Sequence, residues 1–300
     1  MLANLNNKKI LITAGNSQIG NDIVNYFLKK NYCVYETYRK KKNTIKSRRL
    51  KHVKYNFQNK FTLKKNFDLF VHCASITPYK DKISKKMLHL NTQGLIKILR
   101  SQSSFKKIVL LSTMNVYGDI TTKVVNENTK KKKVNLYGIS KIKMEKILKD
   151  YCKNNYTKYL VLRLPGVIGN FKSNNNFLNK LIKNLSENKT VSFNNPNNYY
   201  NNVVHTATIS KIANEFMLKK NPIYLNKIFN LCSTNPIKLI EIVKMIKKKL
   251  KSESKLIISK SSLFFRISPK KCLKFGLKII STKNSINKTL NTRYIKKTSY

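Results

Sequence analysis

Short apolar runs alternate with helix-period segments through the first half of the chain. Lys9–Thr13 is an apolar run of strand length. In Ile19–Lys30 the apolar residues Ile19, Ile23, Tyr26 and Phe27 recur at the spacing of one helical face. Strand-like runs follow at Tyr32–Tyr38, His52–Phe57 and Asp68–Cys73. A helical segment at Lys82–Arg100 leads to a fifth strand at Lys107–Ser112, then a helix at Tyr137–Cys152 and a strand at Tyr159–Leu164. Strand and helix in turn, over this length, specify an α/β fold with a doubly wound parallel sheet. Near residue 170 the texture changes. Asn-rich loops at Ser173–Asn176 and Asn194–Asn202 flank a helix at Phe177–Leu185. A late strand at Ile228–Leu231 is placed to return to the sheet, and Ile237–Leu250 reads as helix. The expected division is residues 1–170 for the sheet domain, 171–290 mainly for a smaller C-terminal lobe, and 291–300 for a polar, frayed tail.

Composition changes this picture little. The chain has 300 residues, 41% of them hydrophobic, which is ample for such a core. No apolar run reaches the roughly 20 residues of a membrane span. Lys8 and Lys9 lead straight into the first strand without the apolar stretch and cleavage site of a secretory leader, so a cytoplasmic protein is expected. Cys33, Cys73, Cys152, Cys232 and Cys272 are scattered and read as reduced, buried thiols. No His/Cys/carboxylate spacing suggests a metal site. A net charge of +50 invites a nucleic-acid reading. However, only 7 of the 62 basic residues are arginine, the side chain that reads bases by paired contacts. Lysines spread along the whole chain read as a biased surface. Polyanion binding stays open as a minor alternative, and no specific nucleic-acid partner is expected.

Two pieces of chemistry stand out. Tyr137 and Lys141 are four residues apart, hence on one face of a helix. An ammonium held there would stabilise the phenolate and lower the tyrosine pKa from its usual ~10, as a general acid/base requires. A surface tyrosine beside a surface lysine would show the same spacing in so lysine-rich a chain. The segment Thr13-Ala14-Gly15-Asn16-Ser17-Gln18-Ile19-Gly20 follows the first strand and opens a helix. Such a turn brings backbone amides to a pyrophosphate; an ordinary strand–helix turn is the alternative.

Taken in order, the motifs resemble the extended short-chain dehydrogenase/reductase family, of the NAD(P)-dependent epimerase/dehydratase type that acts on nucleotide sugars. The similarity runs from about Lys9 to Leu290. Ile10–Gly20 resembles the family's fingerprint, and His72-Cys73-Ala74-Ser75 and Asn91-Thr92-Gln93-Gly94 its next two segments. Ser112-Thr113-Met114-Asn115-Val116-Tyr117-Gly118, the Tyr137–Lys141 pair with Glu145, and Arg163-Leu164-Pro165-Gly166-Val167-Ile168-Gly169 match the remainder. The resemblance implies a Rossmann-like domain with a substrate lobe. It gives Tyr137 the role of general acid/base, Lys141 that of pKa-lowering partner and ribose ligand, and Thr113 that of donor to the reacting oxygen. It implies that Thr13, Gly15, Ser17, Gln18, Ile19, Gly20, Arg39, Ala74 and Asn91, with Lys141, bind the cofactor. Asn91 is expected to support the site's backbone more than to touch substrate. It also allows a homodimer through the helices carrying Tyr137 and Lys82–Arg100.

Departures from the family refine the expectation. Aligned on Gly20, the first two fingerprint glycines fall on Ala14 and Ser17. Tyr38 stands where an acid usually meets the adenosine ribose, and Arg39 follows it, suited to a 2′-phosphate. Glu36 is expected to point elsewhere. The cofactor expectation is therefore NADP, with NAD possible. Met114 and Asn115 replace the acid pair of the 4,6-dehydratases, which disfavours dehydration. The stretch Asn201–Thr208 lacks the family's phosphate-binding arginine and its acidic pair; Arg266 is a candidate phosphate ligand but reads more readily as a lone surface arginine. His205 reads as a packed strand residue. The expected activity is C4 reduction or epimerisation of a nucleotide-activated sugar. A catalytically impaired binding or regulatory protein is the alternative that Ala14 and Ser17 favour.

Overall fold

The computed structural model describes residues 8–77, 84–171, 176–220, 223–259 and 264–295. Its centre is a seven-stranded sheet. The strands are β1 (Lys9–Ile12), β2 (Cys33–Tyr38), β3 (Leu50–Lys54), β4 (Leu69–His72), β5 (Lys107–Thr113), β6 (Lys158–Leu164) and β7 (Lys227–Asn230). Their order is β7-β6-β5-β4-β1-β2-β3. The pairs β1–β2, β2–β3, β1–β4 and β4–β5 all run parallel. Strand order therefore reverses between β1 and β4, where an open α/β sheet leaves a crevice at its carboxyl edge. This is the Rossmann-like α/β architecture.

The chain divides into two compact units. One comprises residues 1–119, 130–163 and 209–229; the other comprises 120–129, 164–208 and 230–300. Segment 120–129 leaves the first unit because its strand Val124–Val125 pairs with Arg266–Ile267. No sequence periodicity announces so short a pairing.

In the sheet unit, α1 (Gln18–Leu28), α2 (Lys85–Leu99) and α3 (Leu136–Asn154) connect the strands. Each starts on a polar cap: Ser17 accepts from Gly20 N, Ser84 from Met87 N and Asn135 from Gly138 N. Lys82, where the expected second helix begins, lies outside the described residues. The third strand ends at Lys54 rather than Phe57, because the Asn56 side chain accepts from the amides of Gln58 and Asn59 and turns the chain. A core of Leu11, Phe67, Phe70, Leu95, Ile108, Met144, Leu148 and Val161 fills the space between sheet and helices. Asp68 caps one end of this unit, accepting from Lys9 N at 3.0 Å and Lys106 Nζ at 2.9 Å and facing Lys8.

The second unit has its own core, built by the helices Phe177–Ser186, Leu239–Leu250 and Thr282–Leu290 with strands Gly166–Ile168 and Val203–His205. The expected helix at Ile237 begins at Leu239, since Ile237–Lys238 pairs antiparallel with Tyr199–Tyr200. The tail does not fray at once. Asn291–Ile295 forms a further helical turn, and Arg293 donates to Gly169 O at 2.8 Å and Asn179 Oδ1 at 3.0 Å. Among the described residues no helix is long and apolar enough to cross a membrane.

Candidate active site

The sheet's crevice is a cleft of about 860 Å³. The β1–α1 turn contributes Ala14, Asn16 and Ser17, and the end of β2 contributes Thr37 to Lys41. Tyr55 to Gln58 and Ala74 to Thr77 line the rest, with Lys86 and Leu90. Arg39, Lys40, Lys41 and Lys86 give it four cations, and none of its described lining residues is acidic.

The turn folds around backbone constraints. Ala14 takes a left-handed φ of +50°, which costs an L-residue about 1–2 kcal/mol. Its amide donates to Thr37 Oγ1 at 3.0 Å. A Cβ on Gly20 would sit 2.1 Å from Ala14 O, so only glycine lets the helix start this close to the strand. Ser17 is exposed and lines the cleft, but its hydroxyl already accepts from Gly20 N at 3.1 Å. The positive end of α1 nevertheless opens at the cleft, and with the cations it makes an anion-attracting wall. A nicotinamide dinucleotide fits this chemistry.

Two residues expected to hold the cofactor are spent inside the protein. Thr13 is fully buried. Its oxygen accepts from the amides of Cys73 and Ala74, both at 3.0 Å, and its proton faces His72 Nδ1 at 3.0 Å. Burial, with Lys141 nearby, pulls the His72 pKa down to about 3, so that ring is neutral and can accept. Thr13 thus ties β1 to β4 at the point where strand order reverses. Gly15 is buried and gives its amide to Thr37 O at 3.0 Å. It is glycine because Glu36 lies beneath it: a Cβ there would be 2.4 Å from Glu36 Cβ. Gln18 and Ile19 start α1 beside the cleft without lining it, Arg39 lines it exposed, and Ala74 lines it almost fully buried.

The other expected residues gather at the ends of β5 and α3. Thr113 closes β5, with its hydroxyl accepting from Asn115 N at 3.3 Å. Tyr137 stands half-buried in the first turn of α3, hydrogen-bonded to Ser75 of the cleft wall. Lys141 lies one turn on, 2% exposed, with Nζ 5.9 Å from the Tyr137 ring centre. The sequence expectation of a lowered tyrosine pKa is corrected here. Burial pushes the phenol above its usual value, and the Ser75 hydrogen bond pulls only part of the way back. The ammonium is engaged elsewhere, donating to Leu111 O at 3.0 Å, and burial brings its own pKa down to about 8.

Behind this face lie residues that sequence reasoning assigned only in part. Asn91 is fully buried; it exchanges hydrogen bonds with the Ile76 backbone (2.7 and 3.1 Å) and donates to Ser140 Oγ at 3.2 Å. Ser140 in turn donates to Tyr137 O at 2.7 Å. Asn91 therefore reaches the cleft only through the backbone of Ile76, and its place among the cofactor ligands is corrected to a supporting one. Glu145 accepts from Ser112 Oγ at 2.6 Å and twice from Arg163, at 3.0 and 2.8 Å, while Arg163 also donates to Tyr117 Oη at 2.9 Å. Ser75 was not foreseen, since nothing in the local pattern marks it as the partner of Tyr137. Arg266 is exposed on its own short strand and His205 is buried on another, both in the second unit.

Known proteins bear on this geometry. Residues 10–220 match the model of the NAD dependent epimerase/dehydratase family. A UDP-glucose 4-epimerase of Lacticaseibacillus casei is 34% identical over 119 residues, which is 38% of this chain and 36% of that protein. The match thus spans about a third of that relative's length. The crystal structure of a UDP-glucose 4-epimerase from Thermotoga maritima with UDP-glucose aligns over 97% of this chain and 99% of its own, at 16% identity and a TM-score of 0.75. A UDP-glucuronic acid 4-epimerase from Bacillus cereus in complex with NAD aligns over 96% and 99%, at 18% identity and a TM-score of 0.75. These two likenesses concern the fold. With the family model covering six of the seven sheet strands, the cleft and the helix that carries Tyr137 and Lys141, the chain belongs to the NAD dependent epimerase/dehydratase family.

Proposed function

We propose that the chain is an NADP-preferring reductase or epimerase acting at C4 of a nucleotide-activated sugar. What supports this reading is the Tyr137–Lys141 pair on α3, with Tyr137 beside Ser75 of the cleft wall and Thr113 closing β5, together with a cleft that holds Arg39, Lys40 and Lys41. Tyr137 exchanges a proton with the sugar oxygen. Thr113 keeps its hydroxyl proton for that same oxygen while it accepts from Asn115. Lys141, released from Leu111 O, offers its ammonium to the ribose and to the phenolate. When bound, the nicotinamide supplies the two-electron chemistry at the sugar carbon. Arg39, followed by Lys40 and Lys41, would meet a 2′-phosphate, and no described acid lines the cleft to hold a 2′-hydroxyl instead.

The three similar proteins named above, each an epimerase of a UDP-sugar, support the substrate class. Dehydration lacks its acid pair, since Met114 is buried and Asn115 carries an amide. The test is a titration of the purified chain with NADPH and NADH, followed by nicotinamide emission, which no tryptophan obscures. Tighter binding of NADPH, followed by turnover in a panel of UDP- and dTDP-sugars, is expected. No binding of either cofactor would put the impaired, non-enzymatic reading first.

A further inference from the structure

Glu36 is the residue a phosphate-binding turn would not choose. It is fully buried on β2. Oε1 accepts from Asn43 N at 2.9 Å and pairs with His52 Nδ1 at 2.7 Å. Oε2 is buried with no hydrogen-bond partner among the described residues. It lies against the underside of the β1–α1 turn, 2.6 Å from where a Cβ on Gly15 would be. A buried carboxylate oxygen left open costs stability, so its retention needs a reason.

Part of the reason is architectural. Glu36 fixes Asn43, whose side chain donates to Gly15 O at 3.3 Å and Asn21 Oδ1 at 2.8 Å. Asn16 Nδ2 donates to Lys41 O at 2.6 Å. The loop carrying Arg39 to Lys41 is thereby latched to the turn. The same carboxylate has a second effect. It sits behind the turn, against Gly15 and shielded from water, and His52 on the other oxygen is its neighbouring counter-charge only when protonated.

We propose that Glu36 limits dinucleotide affinity, so that the cofactor exchanges with solvent in each turnover instead of staying resident. Ala14, in a left-handed conformation, and Ser17, with its hydroxyl already bonded to Gly20, act in the same direction. The inference rests on the cofactor reading above and deepens it. A net reduction consumes one reduced dinucleotide per sugar and requires exchange. An epimerisation restores its cofactor in every cycle and requires none. An exchangeable dinucleotide is therefore what net redox chemistry on the sugar needs, and it favours that branch of the proposed function.

The experiment compares wild type, Glu36→Gln and His52→Gln, each checked for folding by thermal unfolding. Dinucleotide released on denaturing the desalted protein is quantified, and NADPH and NADH are titrated at fixed salt. Wild type is expected to be free of dinucleotide. Glu36→Gln is expected to bind both cofactors ~10-fold more tightly, equally for the two because they share the pyrophosphate, and His52→Gln more weakly. Stoichiometric dinucleotide in desalted wild type would overturn the inference. So would unchanged or weaker binding by a folded Glu36→Gln variant, while the cofactor reading stood. Absence of binding in all three proteins would remove the cofactor reading itself, and this inference with it.

Discussion

At the β1–α1 turn the polar groups serve the protein first. Thr13, Gly15 and Ser17 direct their hydroxyls or amides inward, Ala14 holds a strained φ, and an open carboxylate lies beneath. At the start of α3 the arrangement is the reverse. The Tyr137 phenol lies beside Ser75 of the cleft wall and Thr113 closes β5, while Asn91 bonds to Ser140, and Glu145 to Ser112 and Arg163, in the buried interior. Both regions belong to the same unit of the fold. The difference teaches that cofactor grip and acid/base geometry can be set separately: buried hydrogen bonds hold the start of α3, while the polar groups of the turn are committed to the protein itself.

That separation can be broken from either side. The largest effect is expected from Tyr137→Phe, which should lower kcat by about 10³-fold while leaving NADPH affinity within about 2-fold. Parallel loss of binding and turnover would show that the two regions are not independent. Next is Glu145→Ala, which strands Arg163 in the core and should destabilise by about 3–5 kcal/mol, read as a fall in Tm. An unchanged Tm would mean that the network does not hold the α3 face. Lys141 sharpens the comparison through pH. Its ordinary pKa of 10.5 drops to about 8 on burial, so the folded state is penalised for its charge below pH 8. As pH rises from 8 toward 10.5 the unfolded chain alone keeps the proton, and wild type gains stability. Lys141→Met should thus be the more stable protein at pH 7, by at most about 3 kcal/mol, with the gap closing through that window in denaturant titrations. A gap that widened would reverse the assignment. The smallest effect is that of Ala14→Gly, which relieves the left-handed φ at some entropic cost and should shift stability by no more than about 1 kcal/mol, upward.

The sequence made legible what local spacing encodes. Apolar alternation located the strands of the sheet, and Tyr137 and Lys141 share a helix face because they are one turn apart. Long-range partners were not legible. Thr13 looks like a cofactor ligand until its bonds to residues 72–74 are seen, and Glu36 acquires its meaning from Asn43, His52 and Gly15. The tail looked frayed because Arg293 finds its carbonyl partner on Gly169, far back in the chain. The tyrosine pKa was misjudged for the same reason, since the burial that raises it comes from packing by residues distant in the chain and not from the spacing of Tyr137 and Lys141.

The scarcity of acids has a consequence for how this molecule responds to its surroundings. The chain has 12 carboxylates and 4 histidines against 62 lysines and arginines. Several of the carboxylates are locked in place: Asp68 between two lysines, Glu36 and Glu145 in the core, Glu127 on the Asn230 amide. Such a surface has almost no charge capacitance near neutrality, because few groups change protonation between about pH 5 and pH 9. Its field is effectively fixed, and ionic strength is the variable left to adjust it. Any attraction of an anionic ligand to the cleft and any adhesion to bulk polyanions would then rise and fall together with salt.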